Sequence, residues 1–177
     1  MNATFRKLLV GAAVAVLSVV TAAAQAQHTG FGSAGWKQGV QGYWPAQASG
    51  RYIETARNYA QAVQTYAAST AKPDAAAVKE FKGELTRYLD EAHKHLATMK
   101  KDLANDKEAV AAIEGLEKQL ASAVAHNKEM VACCEHVTFD KVKAMSCCTD
   151  LVKALDKISA DHAALMKTLA AKYPAQK

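Results

Sequence analysis

The four cysteines of this 177-residue chain form two adjacent pairs, Cys133-Cys134 and Cys147-Cys148, within a span of 16 residues. Thiolate and thioether sulfur favour Cu(I), and cysteine combined with histidine also suits Zn(II). Both histidine and methionine lie beside these pairs. The sequence therefore predicts a soft-metal site, Cu(I) before Zn(II), with these ligands: Cys133, Cys134, Cys147, Cys148, His126, His136, Met130 and Met145. The thiolates would be the strong ligands, a histidine would complete the coordination, and the methionines would be weak neighbours.

One alternative is that the four cysteines are buried free thiols. Another is that they form two disulfides, for which three connectivities exist. A helical hairpin that turns near residue 136 would separate the two pairs by roughly 10–15 Å along its axis, at about 1.5 Å per residue. A disulfide needs its two Cα atoms within about 4.4–6.8 Å, so a bridge between the pairs requires residues 133–139 to fold back. Bridges between adjacent cysteines are strained, and any disulfides are therefore expected between the pairs. Thiol redox exchange is a further interpretation, but no C-x-x-C sequence begins a helix.

A second group of histidine and methionine residues falls on the apolar stripes of two predicted helices. One interpretation is a His/Met metal site between these helices. The other is that the histidines are amphipathic residues at the stripe edge and that the methionines fill gaps in the core, which is their more common role. The members of this second cluster are His95, Met99, His162 and Met166.

Several other chemistries do not fit the sequence. Di-iron bundles need Glu-x-x-His on two helices, and no histidine here has glutamate three positions before it. Covalent c-type haem needs C-x-x-C-H, which is also absent from the sequence. Phosphate-binding loops, nucleophile elbows and H-E-x-x-H zinc motifs are likewise missing. We therefore expect a protein without enzymatic activity.

Residues 1–26 have the pattern of a cleaved signal peptide. Arg6 and Lys7 precede an apolar run, and Ala24-Gln25-Ala26 is a small-x-small cleavage site. The apolar run is short for a membrane-spanning helix, so we expect a periplasmic or secreted protein with no stable membrane insertion after cleavage. Two of the 22 basic residues and none of the 17 acidic ones lie in this segment, so the remainder has a net charge of +3. Such a mild charge, interspersed along the chain, does not favour nucleic acid as a partner.

The rest of the chain divides into a leader, a helical domain and a tail. Residues 27–50 contain six glycines and several aromatic side chains, which predicts a flexible leader. From residue 51 to 173 the apolar residues recur at spacings of three and four. This periodicity predicts an all-α, antiparallel up-down four-helix bundle, or a three-helix core with a loose first helix. The predicted helices cover 51–70, 74–103, 107–134 and 139–172, and 174–177 form the tail.

In architecture the chain resembles exported four-helix copper-storage proteins, which combine a signal segment with cysteines inside a bundle. Those proteins carry many cysteines, often as C-x-x-x-C, whereas this chain has four in two C-C pairs. The likeness is therefore one of architecture and not of motif. The alternative function is a non-catalytic structural or interaction module of the cell envelope, with two disulfides joining the last two helices. In that module the leader would contact an envelope protein.

Overall fold

The computed structural model describes residues 42–135 and 139–173, and all regular structure within these ranges is helical. The four helices are α1 (Tyr43–Ser69), α2 (Ala75–Asp102), α3 (Lys107–Glu135) and α4 (Lys141–Lys172). The predicted all-α class is confirmed for the described residues, and the last three helices begin and end within two residues of their predicted limits. Of the helices in these two ranges, none combines the length and the apolar character that crossing a membrane requires.

The four helices pack side by side around a shared apolar core. The α1 helix packs against α2 and α4, and the α3 helix packs against the same two helices. Each helix presents to the core the residues that recur at spacings of three and four along its sequence. The largest fully buried side chains come from all four helices: Ile53, Leu85, Leu89, Leu96, Met99, Ile113, Leu120, Met130, Leu151, Leu155 and Ile158. The first helix therefore belongs to the core, and the alternative of a loose first helix is wrong.

Aspartate side chains cap the beginnings of α2, α3 and α4. Asp74 accepts hydrogen bonds from the backbone N–H groups of Ala76 and Ala77 at the start of α2. Asp106 accepts one from Ala109 in the first turn of α3, and Asp140 accepts one from Lys143 in the first turn of α4. These caps satisfy N–H groups that have no partner inside the helix, so they fix where each helix begins.

The beginning of α1 corrects the predicted leader, since the helix starts at Tyr43 and not at residue 51. Gly42 precedes it with a φ of 83°, a left-handed conformation that glycine adopts without strain. Ala46, Ser49 and Gly50 are buried in the first turns, and the ring of His162 on α4 lies against all three. The predicted signal peptide, leader residues 27–41 and the tail 174–177 lie outside the described residues.

Side-chain contacts show which helix ends are neighbours. The beginning of α1 lies next to the last third of α4, where Ser49 Oγ is 3.0 Å from His162 Nε2. The end of α1 lies next to the beginning of α4, where Lys141 Nζ donates to the Ala68 carbonyl oxygen at 2.7 Å. At the other end of α4, Lys172 Nζ donates to Asp106 at the beginning of α3, also at 2.7 Å. The end of α3 therefore meets the beginning of α4, and both cysteine pairs lie there.

Candidate functional site

Adjacent residues of a helix point in directions about 100° apart, so each cysteine pair contributes one buried and one half-buried thiol. Cys134 and Cys148 are buried, with 7% and 1% of their surface exposed, and we call them the inner pair. Cys133 and Cys147 are half-buried, and we call them the outer pair. The four residues together are the thiol cluster.

The outer pair is in direct contact across α3 and α4. The two Sγ atoms of Cys133 and Cys147 lie 3.1 Å apart, within the distance of a thiol hydrogen bond. Burial raises the pKa of Cys147 to about 11, and the hydrogen bond and charge of Cys133 add to the rise. Burial likewise raises the pKa of Cys148 to about 12, with smaller contributions from the other three thiols. Without a metal, the thiols of Cys147 and Cys148 therefore carry their protons at neutral pH.

The predicted separation of 10–15 Å between the cysteine pairs is wrong. Two side-chain contacts join α3 to α4, Cys133 with Cys147 and Gln119 with Asp161. In both contacts the midpoint between the two residues in the sequence is residue 140, which is therefore the centre of the hairpin. The hairpin was expected to be centred near residue 136, but α4 begins only after the cap at Asp140. The later centre places the two cysteine pairs at the same level, so no fold-back of residues 133–139 is needed to bring them together.

The remaining predicted ligands lie at different distances from the thiol cluster along the helices. Met130 is buried and lies one turn before Cys134 on the same face of α3. Met145 is half-buried on α4, one turn before Cys148. His126 precedes Cys133 by two turns, about 10 Å along the axis, and its Nδ1 atom lies 3.5 Å from the Glu129 carboxylate. The structure therefore places Met130 and Met145 within one turn of the cysteines and His126 further away, while His136 lies outside the described residues.

Within residues 42–135 and 139–173, the side chains form no group of three or more His, Cys, Asp or Glu that is arranged to hold a metal ion. The outer pair brings two such ligands into direct contact. The distance of 3.1 Å between its two Sγ atoms is shorter than in a zinc site and longer than in a disulfide. Two thiolates on a tetrahedral zinc, with bonds of about 2.3 Å, lie about 3.8 Å apart, and the sulfur atoms of a disulfide lie about 2.05 Å apart. Either outcome requires the two sulfur atoms to move by about 1 Å or less.

In the predicted second cluster, the two histidines have different surroundings. His95 on α2 is half-buried and stacks on Tyr52 of α1, with the ring centres 5.6 Å apart. His162 packs on Gly50 instead, and positions 50 and 52 lie about 200° apart around α1. Met99 and Met166 are both buried in the core. The two histidine rings thus contact opposite faces of α1.

The imidazole of His162 is buried and neutral. Its Nε2 atom lies 3.1 Å from the Ala46 carbonyl oxygen, and because a carbonyl can only accept, Nε2 carries the ring hydrogen. The buried Nδ1 atom has no hydrogen-bond partner among the described residues. Burial lowers the pKa of His162 to about 4, against a smaller opposing effect of the Ala46 carbonyl. Ala46 and Ser49, the two partners of His162, were missed by sequence reasoning. Both fall in the glycine-rich stretch that predicted a leader.

A groove of about 390 Å³ runs between α3 and α4, away from the thiol cluster. Small residues such as Ala112, Gly115 and Ala164 are among those that line it. At one end Asp106 accepts hydrogen bonds from Lys172 Nζ at 2.7 Å and from Tyr173 Oη at 2.9 Å. The spacing of these residues in the sequence carried no signal of a groove, because small residues on a helix also pack against neighbouring helices.

In the comparisons with known proteins, no family model matches the chain, and no curated protein or solved structure is significantly similar to it. The class that the described residues define is therefore an all-helical, four-helix protein with a thiol cluster where α3 ends and α4 begins.

Proposed function

We propose that the protein is an exported, antiparallel up-down four-helix bundle that binds a soft transition metal, Cu(I) before Zn(II). The observation that carries the proposal is the convergence of all four thiols of the chain at one end of the bundle. Soft thiolates select Cu(I) and Zn(II), and the buried thioether of Met130 lies one turn away. Nothing in the sequence or the site requires the protein to be an enzyme.

The geometry favours Cu(I) over Zn(II). Zinc sites in proteins take four ligands in a tetrahedral arrangement, whereas Cu(I) is stable with as few as two thiolates. The outer pair supplies two sulfur atoms at a separation of 3.1 Å, and no third ligand from a His, Cys, Asp or Glu side chain in the described ranges joins them. Binding a metal would displace the thiol protons, so the raised pKa values of Cys147 and Cys148 make binding tighter as the pH rises.

The up-down arrangement is supported by the contacts between helix ends. The end of α1 contacts the beginning of α4 through Lys141 and Ala68, and the end of α4 contacts the beginning of α3 through Lys172 and Asp106. These contacts are expected when neighbouring helices run in opposite directions and are joined by short connections. Export rests on the signal-peptide pattern of residues 1–26.

A second candidate function is a structural or interaction module of the cell envelope. The contact between the Sγ atoms of Cys133 and Cys147 favours it, because the two thiols are close enough to be oxidised to a bridge. In this role the inner pair would form a second bridge, and residues 27–41 would contact an envelope protein. Deleting 27–41 leaves α1 complete, so the deletion should abolish capture of such a partner without changing metal binding.

Elemental analysis combined with a thiol count tests the proposal on mature protein purified from the periplasm under anaerobic conditions. The proposal predicts about one copper ion per chain and thiols that become titratable only after a chelator is added. Ser146→Ala, an exposed substitution next to Cys147, serves as the control and should keep its copper. Protein with neither metal nor free thiols before reduction would contradict metal binding and support the disulfide-bonded module.

A further inference from the structure

The outer pair of the thiol cluster has two properties that favour its reaction with a reagent from solvent. Cys133 and Cys147 are half-buried, whereas Cys134 and Cys148 are buried. The outer Sγ atoms are also in contact at 3.1 Å. A reagent that approaches from solvent therefore reaches the outer pair first, and the second thiol that completes a bridge is already in place.

We propose that Cys133 and Cys147 form a reversible dithiol–disulfide couple that reacts with low-molecular-weight disulfides, while Cys134 and Cys148 remain thiols. The sulfur atoms must approach by about 1 Å to reach the bond length of about 2.05 Å, which small rotations of the two side chains can supply. This couple goes beyond the proposed metal binding and does not depend on it, because the exchange takes place in metal-free protein.

The exchange proceeds in two balanced steps. One outer cysteine loses its proton to solvent, and its thiolate attacks a sulfur atom of the small disulfide. This step forms a mixed disulfide with the protein and releases one small thiolate, which takes up a proton. The second outer cysteine then loses its proton and attacks the protein sulfur of the mixed disulfide, which releases the second small thiol. The two protein thiols are thereby oxidised, and the small disulfide is reduced to two thiols.

Competing bridges are disfavoured by position. A small disulfide cannot reach Cys148, which is 1% exposed, without local opening of the bundle. Bridges within Cys133-Cys134 or Cys147-Cys148 would join adjacent residues of a continuous helix, where the strain of such a bridge would break helical hydrogen bonds. In the outer pair, by contrast, both thiols are half-buried and the two sulfur atoms are already in contact.

The test incubates reduced, metal-free protein with oxidised glutathione and follows intact mass together with the thiol count after denaturation. The wild type should lose two of its four thiols and gain no glutathione at the end point.

The variant with Cys134→Ala and Cys148→Ala should form the same bridge. Cys147→Ala should instead retain a bound glutathione at Cys133, since the resolving thiol is missing. In the variant with Cys133→Ala and Cys147→Ala, the two remaining thiols should be oxidised at least tenfold more slowly than the outer pair of the wild type.

Three results would overturn the proposal: oxidation of all four thiols in the wild type, a bridge in the variant that lacks the outer pair, or glutathione retained on the wild type. Because removing the buried Cys148 thiol can impair folding, the wild type is also alkylated while folded after oxidation and fragmented for mass spectrometry. The two free thiols must then map to Cys134 and Cys148. Failure of this test leaves metal binding by the reduced protein untouched, and failure to bind copper leaves the thiol exchange untouched.

Discussion

The imidazole ring of His162 lies against the backbone of α1 at Gly50. A Cβ atom at residue 50 would lie 2.7 Å from His162 Cε1 and 3.2 Å from Nδ1. Both residues are buried, so neither the ring nor the helix has free space into which to move. Glycine is therefore required at this position for close approach of α1 and α4.

Gly50→Ala should lower the free energy of unfolding by about 1–3 kcal/mol, because the added methyl group overpacks this contact. Chemical denaturation followed by circular dichroism measures the change. Gly83→Ala is the matched control, since no side chain lies within 4 Å of a Cβ at that exposed helical position. The control should be stabilised by about 0.5–1 kcal/mol, because alanine favours helix more than glycine does. Equal effects of the two substitutions would contradict the proposed contact.

The lowered pKa of His162 makes stability depend on pH. The ordinary histidine pKa is 6.5 and the folded value is about 4, so between these pH values the unfolded chain binds a proton that the folded chain does not. The unfolding free energy should therefore fall as the pH decreases from 6.5 to 4, by up to about 3 kcal/mol, and His162 should contribute no pH dependence above 6.5. Denaturation curves at pH 4.5 and 7 for His162→Gln should show a smaller difference than the wild type.

His93→Gln is the control for this pH effect, because His93 is exposed on α2. It should keep the pH dependence of the wild type. If the free energy of unfolding decreases on acidification by the same amount in His162→Gln and in the wild type, His162 is not buried in its neutral form.

At the scale of helices, the junction of α3 and α4 determines what the thiol cluster can do. The Cys133 and Cys147 thiols meet because the two helices are in a register centred on residue 140. A shift of α4 by one turn, about 5.4 Å, would separate the outer thiols. The length of the connection between the helices is therefore part of the site.

Oxidation of the outer pair should stabilise the fold by up to about 3 kcal/mol, because the bridge closes a short loop between residues 14 positions apart. The midpoint of urea denaturation should rise when the protein is oxidised and return after reduction. In the variant with Cys133→Ala and Cys147→Ala the midpoint should not respond to oxidant. A bridge that lowers the midpoint would show that α3 and α4 must distort to form it.

The sequence predicted the helices better than it predicted their register. Spacings of three and four residues located α2, α3 and α4 correctly, since these helices bury one apolar face each. The first turns of α1 were missed because Gly42 and Gly50 suggest a loop, and only the packing of His162 on Gly50 explains a helix there. The sequence did not predict that the two cysteine pairs lie at the same position along the helix axes. That position depends on residues 135–140, where no helical periodicity was available.

At the scale of the whole molecule, four helices with an alanine-rich core hold the thiol cluster at one end and the α3–α4 groove further along the same helix pair. All four helices contribute fully buried side chains, so the site is supported by the entire core and not by one hairpin alone. The proposed export would place this cluster in an oxidising compartment, where a metal or a bridge protects thiols. Metal binding and oxidation of the outer pair would then compete for the same two sulfur atoms.

The most direct test of this account is an anaerobic Cu(I) titration of the reduced protein against a chromogenic Cu(I) chelator. The wild type and Ser146→Ala should each withdraw about one copper ion per chain from the chelator. The variant with Cys133→Ala and Cys147→Ala should lose affinity by at least a hundredfold while it stays helical by circular dichroism. If the reduced, folded wild type withdraws no more copper than this variant, the thiol cluster is not a copper site.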